Sequence, residues 1–362
     1  MANRASNSIP VILAAVVLAL TGCASTPQLP YSADDAALSV LAAQAGGTDR
    51  RGRFREIYCA TLDARGHDIP DYRACDDALT RVGTEPAGTG EPVDLGASRS
   101  KLVAALVPGI GYDCVLNWLA PPGTVAAHVR QFGYDQTLIQ VDGLSSSANN
   151  AKQIRDALMA MADGPGAPRI VLIGYSKGAP DVLEALVRYP EMRGRVAAVV
   201  SAAGAVGGSP LANDAEQYQA NLLQHFPGAT CTAGDGGAVE SLRPATRKAW
   251  LAAHTPLPAG PRYYSLVTYP QPERISTLLR PSYDMLARVD GRNDSQMIFY
   301  DQVIPGSTLL GFLNADHWAI ALPIARTHSI IGSLFVTGNA YPREALLEAV
   351  LRFVEEDLAA AR

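Results

Sequence analysis

The sequence predicts an α/β protein in which a mostly parallel sheet is covered by helices on both faces. Short runs rich in Val, Ile and Leu alternate with segments whose apolar residues recur at helical spacing. This alternation is typical of a parallel sheet, because each crossover between parallel strands needs a connecting helix. Of the 362 residues, 48% are hydrophobic and 18% charged, which suits one large domain with insertions. The net charge of −5 gives no reason to expect a nucleic-acid partner.

The predicted strands and helices follow one another along the chain. Strands are predicted at 101–107, 137–141, 169–173, 196–200, 263–267 and 307–312. Helices are predicted at 51–82 (broken near Pro70, the second part carrying Cys75 and Leu79), 124–132, 149–161, directly after Gly178, 242–253 and 343–358.

The first residues are typical of an export signal rather than of the folded protein. Arg4 precedes the apolar run 9–20, which is too short to span a bilayer comfortably. The Leu-Thr-Gly-Cys sequence that ends at Cys23 resembles a bacterial lipobox, which implies cleavage before this cysteine and its lipidation. Because Ala24 follows, the resemblance further implies anchoring in the outer membrane, facing the periplasm. An ordinary signal peptide is the alternative.

These features predict a chain of four segments. Residues 1–22 are the signal peptide, 23–50 a lipid-anchored tether, 51–100 a small helical extension with a linker, and 101–362 the main domain. Within the main domain, 211–261 interrupts the alternation and is mostly polar. We expect this insertion to cover the functional site as a helical cap or lid, with a decorative insertion as the alternative.

Four cysteines remain when Cys23 is set aside, and an even number in an exported chain suggests disulfides. Of the three possible pairings we favour Cys59–Cys75 and Cys114–Cys231. The first would close a short local loop, and the second would tie an early loop to the insertion. A metal site is not expected, because the sequence has no Cys-x-x-Cys spacing.

The sequence Gly174-Tyr175-Ser176-Lys177-Gly178 joins one predicted strand to a predicted helix. Gly-x-Ser-x-Gly at such a junction is the nucleophile elbow, a turn so tight that the serine backbone is strained. The positions two before and two after the serine need minimal side chains, and both hold glycine. The elbow would present the Ser176 hydroxyl above the sheet as a nucleophile. An ordinary glycine-flanked turn is the alternative.

A serine nucleophile needs a base, and in this architecture the base follows the acid along the chain. The earlier histidines come before the later strands or lie in the insertion: His67, His128, His225 and His254. His317 directly follows the last predicted strand, where a loop can bring its ring to the serine. His328 follows a run with a helical pattern and is the less favoured alternative.

The acid that orients the base is expected in a loop after the strand that follows the insertion. The candidates there are Asp284, Asp290 and Asp294, and the turn-rich segment 291–295 favours Asp294. Asp316 adjoins the favoured histidine and is expected to shape its loop instead.

Two backbone N–H groups should stabilise the negative charge that develops on the substrate oxygen, forming an oxyanion hole. One is expected from Lys177, directly after the serine. The other is expected from the glycine-containing loop that follows the first strand of the main domain, at Ile110 or alternatively Gly111.

Three motifs resemble the α/β-hydrolase superfamily, specifically its bacterial lipase- and esterase-like members. They are Gly-Tyr-Ser-Lys-Gly at 174–178, Asn-Asp-Ser at 293–295 and Asp-His-Trp at 316–318. The resemblance extends over 101–358 and implies an α/β-hydrolase fold with a Ser176–Asp294–His317 triad. It also implies hydrolysis of carboxylic esters or lipids without a cofactor.

Other functions share this scaffold and remain open from the sequence. A thioesterase, a polyester depolymerase or a peptidase would use the same nucleophile on a different substrate. A non-catalytic binding protein of the cell envelope is the alternative outside enzymology.

Overall fold

A computed structural model describes residues 47–118, 123–164, 166–214 and 232–360. The predicted signal peptide, Cys23 and most of the predicted tether lie outside the described residues, as do Cys231 and 215–231 of the predicted insertion. Within the described ranges, no helix combines the length and the apolar character needed to cross a membrane.

The described residues contain eight strands that form a single sheet. The strands are β1 (Thr48–Asp49), β2 (Leu79–Thr80), β3 (Leu102–Val107), β4 (Asp135–Leu138), β5 (Arg169–Tyr175), β6 (Val196–Ala202), β7 (Arg262–Thr268) and β8 (Thr308–Leu313). The strand order is β1-β8-β7-β6-β5-β3-β4, and β2 pairs with the same strand, β8, as β1 does. Every pairing is parallel except that of β2 with β8. The predicted mostly parallel sheet is confirmed.

Ten α-helices are found in the described residues. They are α1 (Arg51–Arg65), α2 (Cys75–Ala78), α3 (Thr124–Gln131), α4 (Ser147–Ala160), α5 (Gly178–Arg188), α6 (Pro244–His254), α7 (Arg280–Ala287), α8 (Ile324–Thr327), α9 (Ser329–Leu334) and α10 (Arg343–Ala360). Short 3₁₀ turns link several of these elements.

The core has a layer on each face of the sheet, as the alternating side chains of β5 show. Val171 and Ile173 pack into a cluster with residues of α1, α3 and α10. Ile170 and Leu172 point to the other face and pack with residues of α4 and α5. Because both faces are covered by helices, the strand is apolar at successive positions rather than at alternate ones.

The N-terminal segment contributes two short strands, β1 and β2, to the same sheet, although the sequence predicts a tether at 23–50 and a helical extension with a linker at 51–100. β1 lies parallel to β8 with Thr48 opposite Thr308, and β2 lies antiparallel with Leu79 opposite Leu313. The sequence places Leu79 in the second short helix, and that placement is wrong. The helix ends at Ala78, because the backbone of Leu79 pairs with the edge of β8 instead of continuing the helix.

The N-terminal segment is also fixed by a covalent bond and by ion pairs. The predicted disulfide Cys59–Cys75 is present and closes a loop with a sequence separation of 16 residues. Arg53 on α1 pairs with Glu356 on α10 at 2.7 Å. Cys114 is buried, but its predicted partner Cys231 lies outside the described residues. The proposed segment boundaries stay predictions.

Candidate active site

Ser176 lies at the carboxyl end of β5, in the tight turn that the sequence predicts. Its φ angle is 54°, in the left-handed region that non-glycine residues rarely adopt. A Cβ atom at Gly178 would lie 2.1 Å from the carbonyl oxygen of Val107, and one at Gly174 would lie 2.5 Å from Cα of Ala179. Both flanking positions therefore accept only glycine, which accounts for the motif in steric terms.

The three favoured polar residues form one hydrogen-bonded chain. His317 Nε2 lies 2.9 Å from Ser176 Oγ, and His317 Nδ1 lies 2.7 Å from Asp294 Oδ2. The exposed fractions of Ser176, His317 and Asp294 are 4%, 3% and 0%. The hydroxyl, imidazole and carboxylate are thus in contact and shielded from water. In this arrangement the ring can accept a proton from the hydroxyl while the carboxylate fixes its orientation.

The Asp294 carboxylate is surrounded by hydrogen-bond donors. Oδ1 accepts from the backbone N–H groups of Gln296 at 2.9 Å and Met297 at 2.7 Å. Oδ2 accepts from the Thr268 hydroxyl and, at 3.4 Å, from the Gln302 amide. These donors hold the carboxylate in one position, and they match an ionised group that can only accept.

Thr268 and Gln302 were not predicted from the sequence. Only the position of Thr268 in the sequence could have indicated a role. It is a polar residue directly after the predicted strand 263–267, at the carboxyl edge of the sheet, where active sites of α/β proteins form. Gln302 lies in a 3₁₀ turn and reaches the site only through the tertiary fold.

The structure separates the other acid candidates from the histidine ring. Asp290 forms an ion pair with Arg292 at 2.8 Å, and Asp284 is exposed on α7. Asp316 is buried, and its carboxylate accepts from the backbone N–H groups of Ser276 at 2.9 Å and Ala319 at 2.9 Å. Burial raises the pKa of Asp316. Its bonds hold the loop that carries His317, which is the role expected from the sequence.

The other histidines have different surroundings. His128 contacts Glu348 at 2.7 Å, and His254 contacts the carbonyl oxygen of Trp250 at 2.8 Å. His328 follows α8, where its backbone N–H bonds to Ile324. The His67 ring lies beside α1 with its centroid 4.6 Å from that of the Tyr72 ring. His225 lies outside the described residues.

Tyr175 supports the histidine from the strand side. Its hydroxyl donates to the carbonyl oxygen of His317 at 2.8 Å, and the two ring centroids are 5.2 Å apart. The position before the serine is variable in the elbow pattern, so sequence reasoning gave this tyrosine no role. The structure shows that it packs against the imidazole.

The loop after β3 approaches the serine closely. A Cβ atom at Gly109 would lie 2.8 Å from Cβ of Ser176, so the backbone reaches the nucleophile only because this residue is glycine. The N–H of Gly111 already donates to the carbonyl of Gly143 at 3.2 Å. For the N–H groups of Ile110 and Lys177 we find no acceptor among the described residues. These two groups therefore remain available to a substrate oxygen, whereas Gly111 does not.

The Lys177 side chain points away from the solvent into a buried ion pair. Its ammonium group lies 2.8 Å from both carboxylate oxygens of Asp181, and each side chain is 1% exposed. Asn150 on α4 donates to the same carboxylate at 2.7 Å. The residue directly after the serine is thus joined to α5 and, through Asn150, to α4.

Lys177→Met is expected to destabilise the fold by about 3–5 kcal/mol, because it leaves the Asp181 carboxylate buried without its counter-ion. Urea unfolding measures this change as a lowered midpoint. Lys152→Met on α4 is the matched control, since Lys152 and Asp156 form an exposed pair at 2.9 Å with the same four-residue spacing. Its expected cost is about 0.3–0.5 kcal/mol. Equal costs in the two variants would contradict a special role for the buried pair.

Comparisons with known proteins agree with this geometry. No protein-family model matches the chain, and a search of curated proteins finds no match. The chain is similar to the solved structure of a metagenomic carboxyl esterase, with 42% identity and a TM-score of 0.80. That alignment covers 89% of this chain and 99% of the esterase.

A more distant likeness concerns the fold. The mature form of a lipase from Bacillus licheniformis is 20% identical, with a TM-score of 0.51 over 67% of this chain and 94% of the lipase. The parallel sheet flanked by helices is thus the α/β-hydrolase fold predicted from the sequence. On the strength of the 42% identical relative, the chain belongs to the carboxyl esterases of this fold and is a carboxylic ester hydrolase.

Proposed function

We propose that the chain hydrolyses carboxylic esters through a covalent acyl-enzyme on Ser176. His317 acts as the general base and then the general acid, and Asp294 orients its ring. The observation that carries the proposal is the continuous contact from the serine hydroxyl through the imidazole to the buried carboxylate, at 2.9 Å and 2.7 Å.

In the first half of the reaction, Ser176 Oγ attacks the ester carbonyl carbon while its proton passes to His317 Nε2. The carbonyl π electrons move to the oxygen, and a tetrahedral oxyanion forms. The intermediate then collapses, the bond to the alcohol oxygen breaks, and the alcohol leaves with the proton from His317. The acyl group remains on Ser176.

In the second half, water takes the place of the alcohol. His317 Nε2 accepts a proton from water as the water oxygen attacks the acyl carbon. The second tetrahedral intermediate then collapses, the bond between the acyl carbon and Ser176 Oγ breaks, and His317 returns its proton to Oγ as the carboxylic acid leaves. The N–H groups of Ile110 and Lys177 would hold the oxyanion in both halves, and such donors contribute about 100- to 1,000-fold each to kcat. No step needs a metal or a cofactor.

A fluorophosphonate probe tests the proposed nucleophile. We expect covalent labelling at Ser176 and nowhere else, because the probe reacts with a hydroxyl that a neighbouring base activates. Peptide mass spectrometry of the labelled protein locates the adduct. The Ser176→Ala variant should take up no label, and the His317→Ala variant should react far more slowly.

Two outcomes would contradict the proposal. An adduct on a different serine would place the nucleophile elsewhere. A folded protein that takes up no label and cleaves no ester would instead support the non-catalytic envelope protein considered from the sequence.

We further propose that the mature chain is a lipoprotein of the outer membrane that faces the periplasm. The support is the residue pattern of the first segment, with the apolar run 9–20 followed by the lipobox-like sequence that ends at Cys23. The lipid on this cysteine would hold the enzyme at a membrane surface, where ester-containing lipids are concentrated.

A further inference from the structure

The loop that follows β6 is bonded to the backbone of the nucleophile. We call its residues 203–209 the bridging loop. The N–H of Ala205 in this loop donates to the carbonyl oxygen of Ser176 at 2.9 Å. The same oxygen accepts from the N–H of Ala179 on α5 at 3.1 Å. The carbonyl group of the serine is thus held from two sides, by the helix and by the bridging loop.

The bond from Ala205 also controls a neighbouring N–H group. The carbonyl oxygen of Ser176 and the N–H of Lys177 belong to one planar peptide group, so fixing the first fixes the direction of the second. The N–H of Lys177 is one of the two proposed oxyanion donors, and such donors act only when they point at the developing charge. The position of the bridging loop therefore affects how well this donor is aimed.

The bridging loop is bonded to the segment of the acid as well. The Ser209 hydroxyl is buried and donates to the carbonyl oxygen of Gln296 at 2.6 Å. The N–H of Gln296 in turn donates to the Asp294 carboxylate at 2.9 Å. The N–H of Gly207 donates to the carbonyl oxygen of Asp301 at 2.7 Å. The loop therefore lies between the nucleophile and the acid and is bonded to the segments of both.

Arg247 on α6 holds the middle of the bridging loop. Its Nε donates to the carbonyl oxygen of Val206 at 3.0 Å, and its guanidinium group lies over the Trp250 ring, 4.6 Å from the ring centroid. Trp250 Nε1 donates to the carboxylate of Glu184 on α5. α6 is thus joined both to the bridging loop and to the helix that begins directly after the elbow.

The burial of Arg247 is not explained by stability. The residue is 2% exposed, and its buried Nη2 atom has no hydrogen-bond partner among the described residues. Burial lowers the pKa of Arg247 to about 10, against the charges of Asp181 and Glu184, so the side chain is still charged at neutral pH. Removing a cation from water is costly unless all its donors are bonded. An apolar side chain would be cheaper to bury here, which points to a role in the reaction.

We propose that Arg247 is a positioning residue for ester hydrolysis. Through Val206 it holds the bridging loop, and through this loop it keeps the Lys177 N–H aimed at the substrate oxygen. The inference rests on the proposed function, since it takes Lys177 as an oxyanion donor. α6 belongs to the insertion 211–261, for which the sequence predicts a cap or lid. On this proposal α6 is a fixed support of the reactive centre.

Arg247→Met tests the proposal, because it removes the charge and the donor but keeps an unbranched side chain. We expect kcat for p-nitrophenyl acetate to fall about tenfold or more with little change in KM, since an oxyanion donor acts on the transition state. Arg247→Lys can still donate to the Val206 carbonyl and should recover most of kcat. Lys248→Met is the matched control: Lys248 is an exposed cation on the same helix, and its loss should change neither constant.

A double-mutant cycle tests whether Arg247 acts through the bridging loop. Ser209→Ala removes the bond to the Gln296 carbonyl and is expected to lower kcat severalfold. If both residues hold the same loop, the loss in the Arg247→Met/Ser209→Ala double variant should be smaller than the product of the single losses. If Arg247→Met does not fold, Ser209→Ala alone decides, and an unchanged kcat in this variant contradicts the proposal.

The proposal is overturned if folded Arg247→Met keeps the wild-type kcat, even when its melting temperature is lower, because Arg247 would then serve stability alone. It is also overturned if the loss appears mainly in KM, or if the two single losses multiply fully. Failure of the proposed function has a different signature: the Ser176→Ala variant would then hydrolyse p-nitrophenyl acetate as fast as the wild type.

Discussion

Ser176→Ala is expected to lower kcat for ester hydrolysis by about a millionfold, as loss of the nucleophile does in other serine hydrolases. Alanine removes the atom that forms the acyl-enzyme while leaving the strained turn and its flanking glycines in place. Hydrolysis of p-nitrophenyl acetate by the purified variant protein measures the residual rate. The melting temperature of the variant should match the wild type, which separates lost chemistry from lost folding.

His317→Ala and the Ser176→Ala/His317→Ala double variant complete this experiment. Because the nucleophile and the base act as one unit, the double variant should lose little more activity than either single variant. Fully multiplicative losses would mean that the two side chains act independently. That result would contradict the shared proton transfer that we propose.

Asp294→Asn is expected to lower kcat by about 10,000-fold. The asparagine amide can donate to His317 Nδ1, and the ring would then carry its proton on Nε2, where it can no longer accept the proton of the serine. The variant also leaves the N–H groups of Gln296 and Met297 opposite an amide instead of a charged acceptor. Steady-state assays should show the loss mainly in kcat, because the carboxylate does not touch the substrate.

Asp290→Asn is the matched control for this prediction. Asp290 was an alternative acid in the sequence, lies in the same segment and carries the same charge, but it pairs with Arg292. Its substitution should change kcat little. A larger loss in Asp290→Asn than in Asp294→Asn would show that Asp294 is not the acid that orients His317.

The central strands could be predicted from the sequence because they are buried on both faces. β5 and β6 form continuous apolar runs, and β5 is followed by the glycine-flanked serine, so local composition and tertiary environment agree. The bounds of β4 were harder to predict: the strand is predicted at 137–141 and observed at Asp135–Leu138. It begins with polar residues, and its position is set by pairing with β3 rather than by its own pattern.

Elements that depend on distant partners could not be predicted in this way. β1 and β2 have two residues each, too few for any periodicity, and exist because they pair with β8. The same limit applies at the site. Ser176, Asp294 and His317 follow from motifs and chain order, whereas Tyr175, Thr268 and Gln302 acquire their contacts only when separate segments meet.

The pairing of β1 and β2 with β8 determines how the enzyme must be produced. β8 would otherwise be an outer strand whose free N–H and C=O groups can recruit strands of other molecules, a common start of aggregation and amyloid-like assembly. A shortened protein beginning at residue 101 would keep every residue of the reactive centre and still lose this protection. We therefore expect a protein that begins upstream of Thr48 to aggregate less than one that begins at residue 101.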